Sequence, residues 1–259
     1  MDQEIFLEKK DNDNIIELKD VSLEIPLFDR SDFSLKNKLI KSVTGGVFKK
    51  GRNKSYVKAL DSINLIVNRG DKIALIGHNG SGKTSFIRLI SGIYAPTSGE
   101  LKISVKVFPM IERSFIIEEE LTGVDSAKAH YLMINNSLRG FQVYLEKIIE
   151  FSGLGDYIYL PLKTYSQGMS SRLMFSLLTA QNHECLALDE GLGTGDKGFY
   201  KKAQERLNGF LNNSGSLFIA SHSSELLRRF CFRGIVFSGG KLIFDGDIEE
   251  ALKFYDEQN

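Results

Sequence analysis

Eight consecutive residues, Gly77-His78-Asn79-Gly80-Ser81-Gly82-Lys83-Thr84, have the composition and spacing that suit a bound phosphate. Gly77, Gly80 and Gly82 let backbone amides turn inward without Cβ clashes, which makes an anion nest at a helix N-terminus. Lys83 adds a point charge for the β- and γ-phosphates of a nucleotide, and the Thr84 hydroxyl can ligate Mg2+. The plain alternative is a glycine-rich turn with an accidental lysine. Such a loop needs a partner acid on a nearby strand. Cys185-Leu186-Ala187-Leu188-Asp189-Glu190 supplies it, an apolar strand with Asp189 at its carboxyl end, where open α/β sheets place ligands. Asp189 is expected to hold Mg2+ through a hydroxyl or water, and Glu190 to polarise an attacking water. The pair could instead cap the next turn. His222 follows another apolar strand and is expected to contact the γ-phosphate, although a lone histidine is often structural. Tyr56 precedes a further strand and can stack on adenine, worth about 1–3 kcal/mol if nucleobase stacking values transfer. Its plain reading is an exposed loop tyrosine.

These residues need elements to position them. Ile15 to Ile25 partly alternates, is rich in β-branched residues, and reads as a strand. Ser62 to Val67 and Lys72 to Gly77 read as two more, the second running into the glycine-rich loop and then a helix from Thr84. Gly99 to Phe108 reads as a strand that enters a variable region, and residues 126 to about 180 are mostly helical in pattern. Glu184 to Glu190 and Gly215 to Ser223 are short apolar runs of the kind buried in parallel sheets. A helix is expected after each, from Phe199 and from Ser224. Gly234 to Gly246 reads as a hairpin turning at Gly239-Gly240, and a closing helix follows. Strands alternating with helices imply an α/β sheet with a helical insert between the loop and the next core strand.

Composition narrows the class. The 259 residues carry 33 Lys and Arg against 33 Asp and Glu, with 42% hydrophobic and 25% charged residues. Zero formal charge argues against a surface wholly devoted to nucleic acid. The acidic N-terminus lacks a signal-peptide core, and no run approaches the roughly 18 apolar residues of a spanning helix. Cys185 and Cys231 make neither a metal spacing nor a disulfide framework, and read as packing residues in a reducing cytosol. A cytosolic chain is expected, one able to dock on a membrane protein. Phe33 to Lys58 contains no acid and holds Lys36, Lys38, Lys41, Lys49, Lys50, Arg52, Lys54 and Lys58. That stretch is either a solvated loop or a contact surface for anionic lipid or a membrane partner.

A last segment, Lys163 to Phe175, has no acid, histidine or cysteine, yet sets Ser166 and Gly168 at the start of a helical pattern. The loop, the helical region, Tyr165-Ser166-Gln167-Gly168-Met169, Asp189-Glu190, Gly193-Thr194-Gly195-Asp196 and Ser221-His222-Ser223 stand in the order found in ABC-type ATPases. The resemblance covers nearly the whole chain. The family's signature motif is usually Leu-Ser-Gly-Gly-Gln; the serine and second glycine are kept at Ser166 and Gly168. This variant is similar to that of the nucleotide-binding subunits of bacterial polysaccharide exporters, which handle O-antigen, capsule and teichoic acid. The long basic insert, Glu120 to Gly123, Phe151 to Ile158 and Asp245 to Tyr255 resemble the same subfamily.

The resemblance implies an α/β P-loop NTPase core of ABC type, with an antiparallel β subdomain and a helical insert carrying the signature motif. The core would cover about 15–107 and 182–255, and the insert about 108–181. It implies ATP and Mg2+ as cofactors and a homodimer on a polytopic transmembrane exporter subunit, with polysaccharide cargo carried by that partner. Ser166 and Gly168 of one copy would cap the γ-phosphate held by the other. Alternatives are capsule or teichoic acid export, or a soluble ABC protein acting on nucleic acid or ribosomes. Two departures stand out. The family's glutamine between loop and insert is missing, since no Gln lies between Thr84 and Phe141; Glu112 or Ser114 is the candidate replacement. The Ser-Ala-Leu-Asp that usually follows the catalytic acid is Gly193-Thr194-Gly195-Asp196, with the aspartate kept. Some O-antigen exporters append a carbohydrate-binding domain, and none is expected here, because the resemblance ends with the last core helix.

Overall fold

The computed structural model of the protein describes residues 13–27, 47–50, 55–110, 118–189 and 197–258. Glu190, Asp196, Glu112, Ser114 and most of the basic stretch lie outside the described residues. Among the described residues ten strands form two sheets. The first is antiparallel, in the order β2 (Val47–Lys50), β3 (Ser55–Asn68), β1 (Asn14–Leu27), β5 (Ser98–Ile103). The second runs β10 (Lys241–Asp247), β9 (Arg233–Ser238), β4 (Lys72–Ile76), β8 (Ser216–Ala220), β7 (Cys185–Asp189), β6 (Val107–Met110). There β6, β7, β8, β4 and β9 are parallel and only β10 is antiparallel.

The continuous apolar runs of β4, β7 and β8 are explained by burial on both faces, as a parallel sheet covered by helices requires. On one face lies α1 (Lys83–Ile90), which buries Phe86, Ile87, Leu89 and Ile90. The Phe86 ring packs edge-on to Phe218 of β8 at 5.9 Å and lies 5.3 Å from Phe237 of β9. This face continues into the antiparallel sheet as one core. The other face packs against α5 (Lys197–Asn212), α6 (Ser224–Phe230) and α7 (Ile248–Asp256). The helical region comprises α2 (Gly123–Asn135), α3 (Phe141–Ser152) and α4 (Gln167–Leu178), with two short 3-10 turns at Gly155–Tyr159 and Leu162–Thr164. It has its own core around Ala127, Tyr131, Leu145, Ile148 and Leu173.

Two expectations are refined. The run from Gly99 to Phe108 is two strands in different sheets, not one. Ser104 ends the first: its amide donates to Ile15 O at 2.9 Å, and its hydroxyl bonds the same carbonyl at 3.2 Å. β3 also begins upstream of Ser62, because residues from Ser55 pair with both β1 and β2. The hairpin turns where expected, with Gly239 and Gly240 at φ +55° and +80°. Both cysteines are free and buried, and burial pushes each thiol up to about 12. Among the described residues no helix is long and apolar enough to cross a membrane.

Candidate functional site

Three parallel strands bring the chemistry to one level. Leu75 of β4 is in register with Ala220 of β8, and Ala220 with Asp189 of β7. With neighbouring strands about 4.8 Å apart, Asp189 stands roughly 10 Å from Leu75 across the sheet. All three strands point the same way, so Gly77, His222 and Asp189 stand at the carboxyl edge within two residues of that line. β8 lies between the other two, which puts His222 between the loop and the acid.

The loop is built by steric exclusion. Gly77 has φ +150°, and a Cβ there would run into the Phe237 carbonyl and come within 2.6 Å of Ser81 Oγ. Gly82 has φ +119°, with the Ala59 carbonyl 3.1 Å from where a Cβ would sit. Any side chain at either position would push the loop off β3 and β9. Gly80 is also left-handed, at φ +80°. Lys83 is 7% exposed, and its ammonium donates to Gly77 O at 2.6 Å and His78 O at 3.1 Å. Those carbonyls hold the charge inside the loop, beneath the amides of α1's first turn. Ser81 is fully buried, with its hydroxyl unpartnered among the described residues. His78 Nδ1 lies 2.8 Å from Asn79 O. A buried cation under a helix N-terminus attracts an anion.

His222 Nε2 lies 3.2 Å from Asn79 Oδ1, which ties the loop after β8 directly to the phosphate loop. Thr84, on α1, and Asp189 offer a hydroxyl and a carboxylate. Hard oxygen donors of this kind, few in number and completed by phosphate and water, fit Mg2+. No cluster of three His, Cys, Asp or Glu suited to a metal occurs among the described residues.

Tyr56 lies on β3 beside Pro26 and Lys49, half-buried, three residues before Ala59. Because the Ala59 carbonyl abuts Gly82, Tyr56 sits about 10 Å along the strand from the phosphate loop. That span suits a base whose phosphates lie in the loop. Ser166 is elsewhere: it caps α4, accepting from Met169 N at 3.2 Å, and is exposed. Gly168 lies in that helix's first turn, where amides have no intrahelical acceptor. Tyr165, ahead of them, donates to Tyr157 O at 2.6 Å, and burial raises its phenol pKa.

Two features escaped the sequence reading. The Asn79–His222 contact joins residues 143 apart and leaves no local signal. The Gly239-Gly240 hairpin was legible only as a turn, yet it braces the loop: Gly240 N donates to Ser81 O at 2.9 Å, and Asp61 N donates to Gly240 O at 2.8 Å. A hydrogen bond from Lys58 lowers the Asp61 carboxyl below its ordinary pKa, and the charge of Lys241 adds to the effect.

Comparison with known proteins fits this arrangement. The family model described as ABC transporter matches residues 60–193. The O-antigen export system ATP-binding protein RfbE of Yersinia enterocolitica is 37% identical over 216 residues, 83% of this chain and 90% of that protein. The teichoic acids export ATP-binding protein TagH of Staphylococcus epidermidis is 35% identical over 207 residues, 80% of this chain and 78% of that protein. Among solved structures, an ATP binding subunit of an ABC transporter aligns with TM-score 0.65 at 18% identity, covering 93% of both chains. The ATP-binding cassette MJ0796, a dimer bound to ADP and Pi, aligns with TM-score 0.63 at 18% identity, covering 90% of this chain and 98% of that one. The resemblance to polysaccharide-exporter subunits drawn from the motifs holds, and with a phosphate loop, an acid-bearing strand and a histidine loop at one sheet edge, the chain belongs to the ABC transporter family, as one of its ATP-hydrolysing subunits.

Proposed function

We propose that this subunit drives export of a lipid-linked O-antigen-type polysaccharide, working as a homodimer at the cytoplasmic face of the cytoplasmic membrane on a polytopic partner. The observation that carries the ATPase half is the register line from Leu75 through Ala220 to Asp189, with His222 against Asn79. The 37% identity to an O-antigen export protein supports the cargo class, and the 35% relative makes teichoic acid the second reading.

Lys83 and the amides of His78, Asn79, Gly80, Ser81 and Gly82 would hold the phosphates. Thr84 and Asp189 would hold Mg2+, which when bound neutralises β- and γ-phosphate oxygens. Glu190 would orient water, His222 would steady the γ-phosphate, and Tyr56 would stack on adenine. Ser166 and Gly168 of the second copy would complete the site. The Ser166 oxygen already accepts from Met169 N, which leaves its hydroxyl proton to donate to a γ-phosphate oxygen. The positive end of α4 adds to the attraction.

Two variants test this. Glu190→Gln is expected to slow ATP turnover about 10²–10⁴-fold with nucleotide binding retained, as for loss of a general base; near wild-type turnover removes Glu190 from the mechanism. Lys83→Ala is expected to abolish tight ATP binding, and retained micromolar binding contradicts the loop assignment.

A further inference from the structure

Ser166 and the acid strand lie on separate elements of one chain, and Arg206 hydrogen-bonds across the helices that carry them onward. Arg206 of α5 donates from Nε to Thr179 Oγ1 at 3.0 Å and from Nη2 to Thr179 O at 3.1 Å. Thr179 is the C-terminal cap of α4, and its hydroxyl donates to Phe175 O at 2.7 Å. A cation at the carboxyl end of a helix is favoured by the exposed carbonyls there. The guanidinium also lies 4.2 Å from the centroid of the Phe151 ring of α3. Around it Phe151, Phe175 and Phe199 pack with centroids 5.3 to 6.1 Å apart, joining α3, α4 and α5. Lys202 donates to Phe151 O at 3.0 Å, and Arg172 lies over Phe199.

We propose that Arg206 is a positioning residue for Ser166. α4 is a continuous helix of 12 residues, about 18 Å long, so fixing its carboxyl end at Thr179 and its flank at Phe175, against Phe151 and Phe199, sets where its amino end points. α5 follows Asp189 after residues 190–196. The Arg206–Thr179 clamp therefore helps set the angle between α5 and α4, whose amino end presents Ser166 to another copy. Arginine suits the task because its planar fork satisfies a hydroxyl and a carbonyl at once, which a lysine point charge does not. This inference rests on the proposed two-copy site.

The test uses full-length chain carrying Glu190→Gln to arrest hydrolysis, with ATP-driven dimerisation followed by size-exclusion chromatography and light scattering. A fluorescent ATP analogue reports binding to the dilute monomer. Arg206→Met, which keeps the aliphatic reach over Phe151, is expected to weaken ATP-driven dimerisation at least tenfold while monomer binding stays within about twofold. Without Glu190→Gln, Arg206→Met is expected to lower kcat more than it raises KM. Arg206→Lys is expected to recover part of the loss. Thr179→Val, which keeps shape and removes the hydroxyl, is expected to shift dimerisation in the same direction by less. Dimerisation by Arg206→Met equal to its parent overturns the inference. So does a parallel loss of monomer binding, because Arg206 would then support the fold generally. If the Glu190→Gln parent fails to dimerise with ATP, it is the two-copy reading that falls.

Discussion

The two helical attachments to the core sheet differ in what they add to apolar burial. α1, which carries Lys83 and Thr84, meets the sheet through Phe86, Ile87, Leu89 and Ile90, and its ring contacts are with Phe218 and Phe237. The helical insert, which carries Ser166, also meets the core through apolar groups, Met174 and Leu178 of α4, but adds polar ones beside them. His130 of α2, bonded within the insert to Tyr144 Oη at 2.7 Å, packs edge-on against Phe108 of β6 at 5.9 Å; His183 stacks on the same ring at 4.0 Å, and Arg206 of α5 holds Thr179. Apolar burial is strong and non-directional. Hydrogen-bonded and stacked polar groups contribute less each but specify an angle. The phosphate loop needs to be immovable against the sheet edge, whereas in the proposed two-copy site Ser166 needs a defined orientation toward a second molecule. Each attachment matches its cargo.

The largest effect should come from breaking the apolar joint. Phe86→Ala removes a fully buried ring between two strands and is expected to cost about 3–5 kcal/mol in chemical denaturation. Because no titratable group takes part in those ring contacts, the loss should be the same at pH 7 and pH 5. A cost under about 1 kcal/mol, or one that changes with pH, would erase the distinction between the joints.

How much of this was legible in advance follows from how local each signal is. The phosphate loop was readable because three glycines, a lysine and a threonine fall within eight residues, flanked by a strand and a helix. Asp189 was readable because buried parallel strands are short continuous apolar runs that end abruptly. The register placing Leu75, Ala220 and Asp189 in line was not readable, since pairing order leaves no trace in any one strand. Ser104 splits an apparently single strand by bonding to Ile15, 89 residues earlier. Nothing in the local sequence marks Arg206 or His130, because their partners come from other elements. Ser166 was visible as a helix start, and only family resemblance gave it a chemical task.

The polar joint should respond to acid. Burial lowers the His130 pKa from 6.5 to about 4, with the nearby His183 adding to the shift. Burial, with the charge of Lys106, lowers that of His183 from 6.5 to about 4. Tyr144 faces His130, and burial keeps its phenol protonated throughout this range. Between pH 6.5 and 4 the unfolded chain binds protons that the folded imidazoles refuse. Folding stability therefore rises with pH across that window; it is fully present above about 6.5 and is lost as pH falls toward 4. At about 1.4 kcal/mol per pK unit, each histidine accounts for about 3 kcal/mol of loss at pH 4. His130→Gln, which can still bond Tyr144, is expected to flatten the pH dependence of the denaturation midpoint relative to the wild type. Carboxylates titrate equally in both proteins, so the difference isolates the imidazole. Parallel curves would show that His130 titrates normally in the folded chain.

The smallest effect tests whether directional groups in the insert act singly. Thr122 caps α2: its hydroxyl accepts from Asp125 N at 3.1 Å, and Asp125 Oδ2 accepts from Thr122 N at 3.3 Å. Thr122→Ala opens this reciprocal box and is expected to cost about 1 kcal/mol, or roughly 2–4 °C in melting temperature. Thr122→Ser should restore most of it, because the oxygen rather than the methyl does the capping. The cap lies beside Gly123, where a Cβ would meet the Tyr165 hydroxyl at 2.7 Å, one residue before Ser166. If the insert were a loose assembly, fraying α2 would reach Tyr165 and lower turnover along with stability. If Tyr165 is held by Tyr157 O, as its 2.6 Å hydrogen bond indicates, turnover per folded molecule stays near wild type while the melting temperature drops. A matched fall in both would mean that the insert's polar contacts act as one network, and the contrast with the apolar joint would then lie in cooperativity rather than in direction.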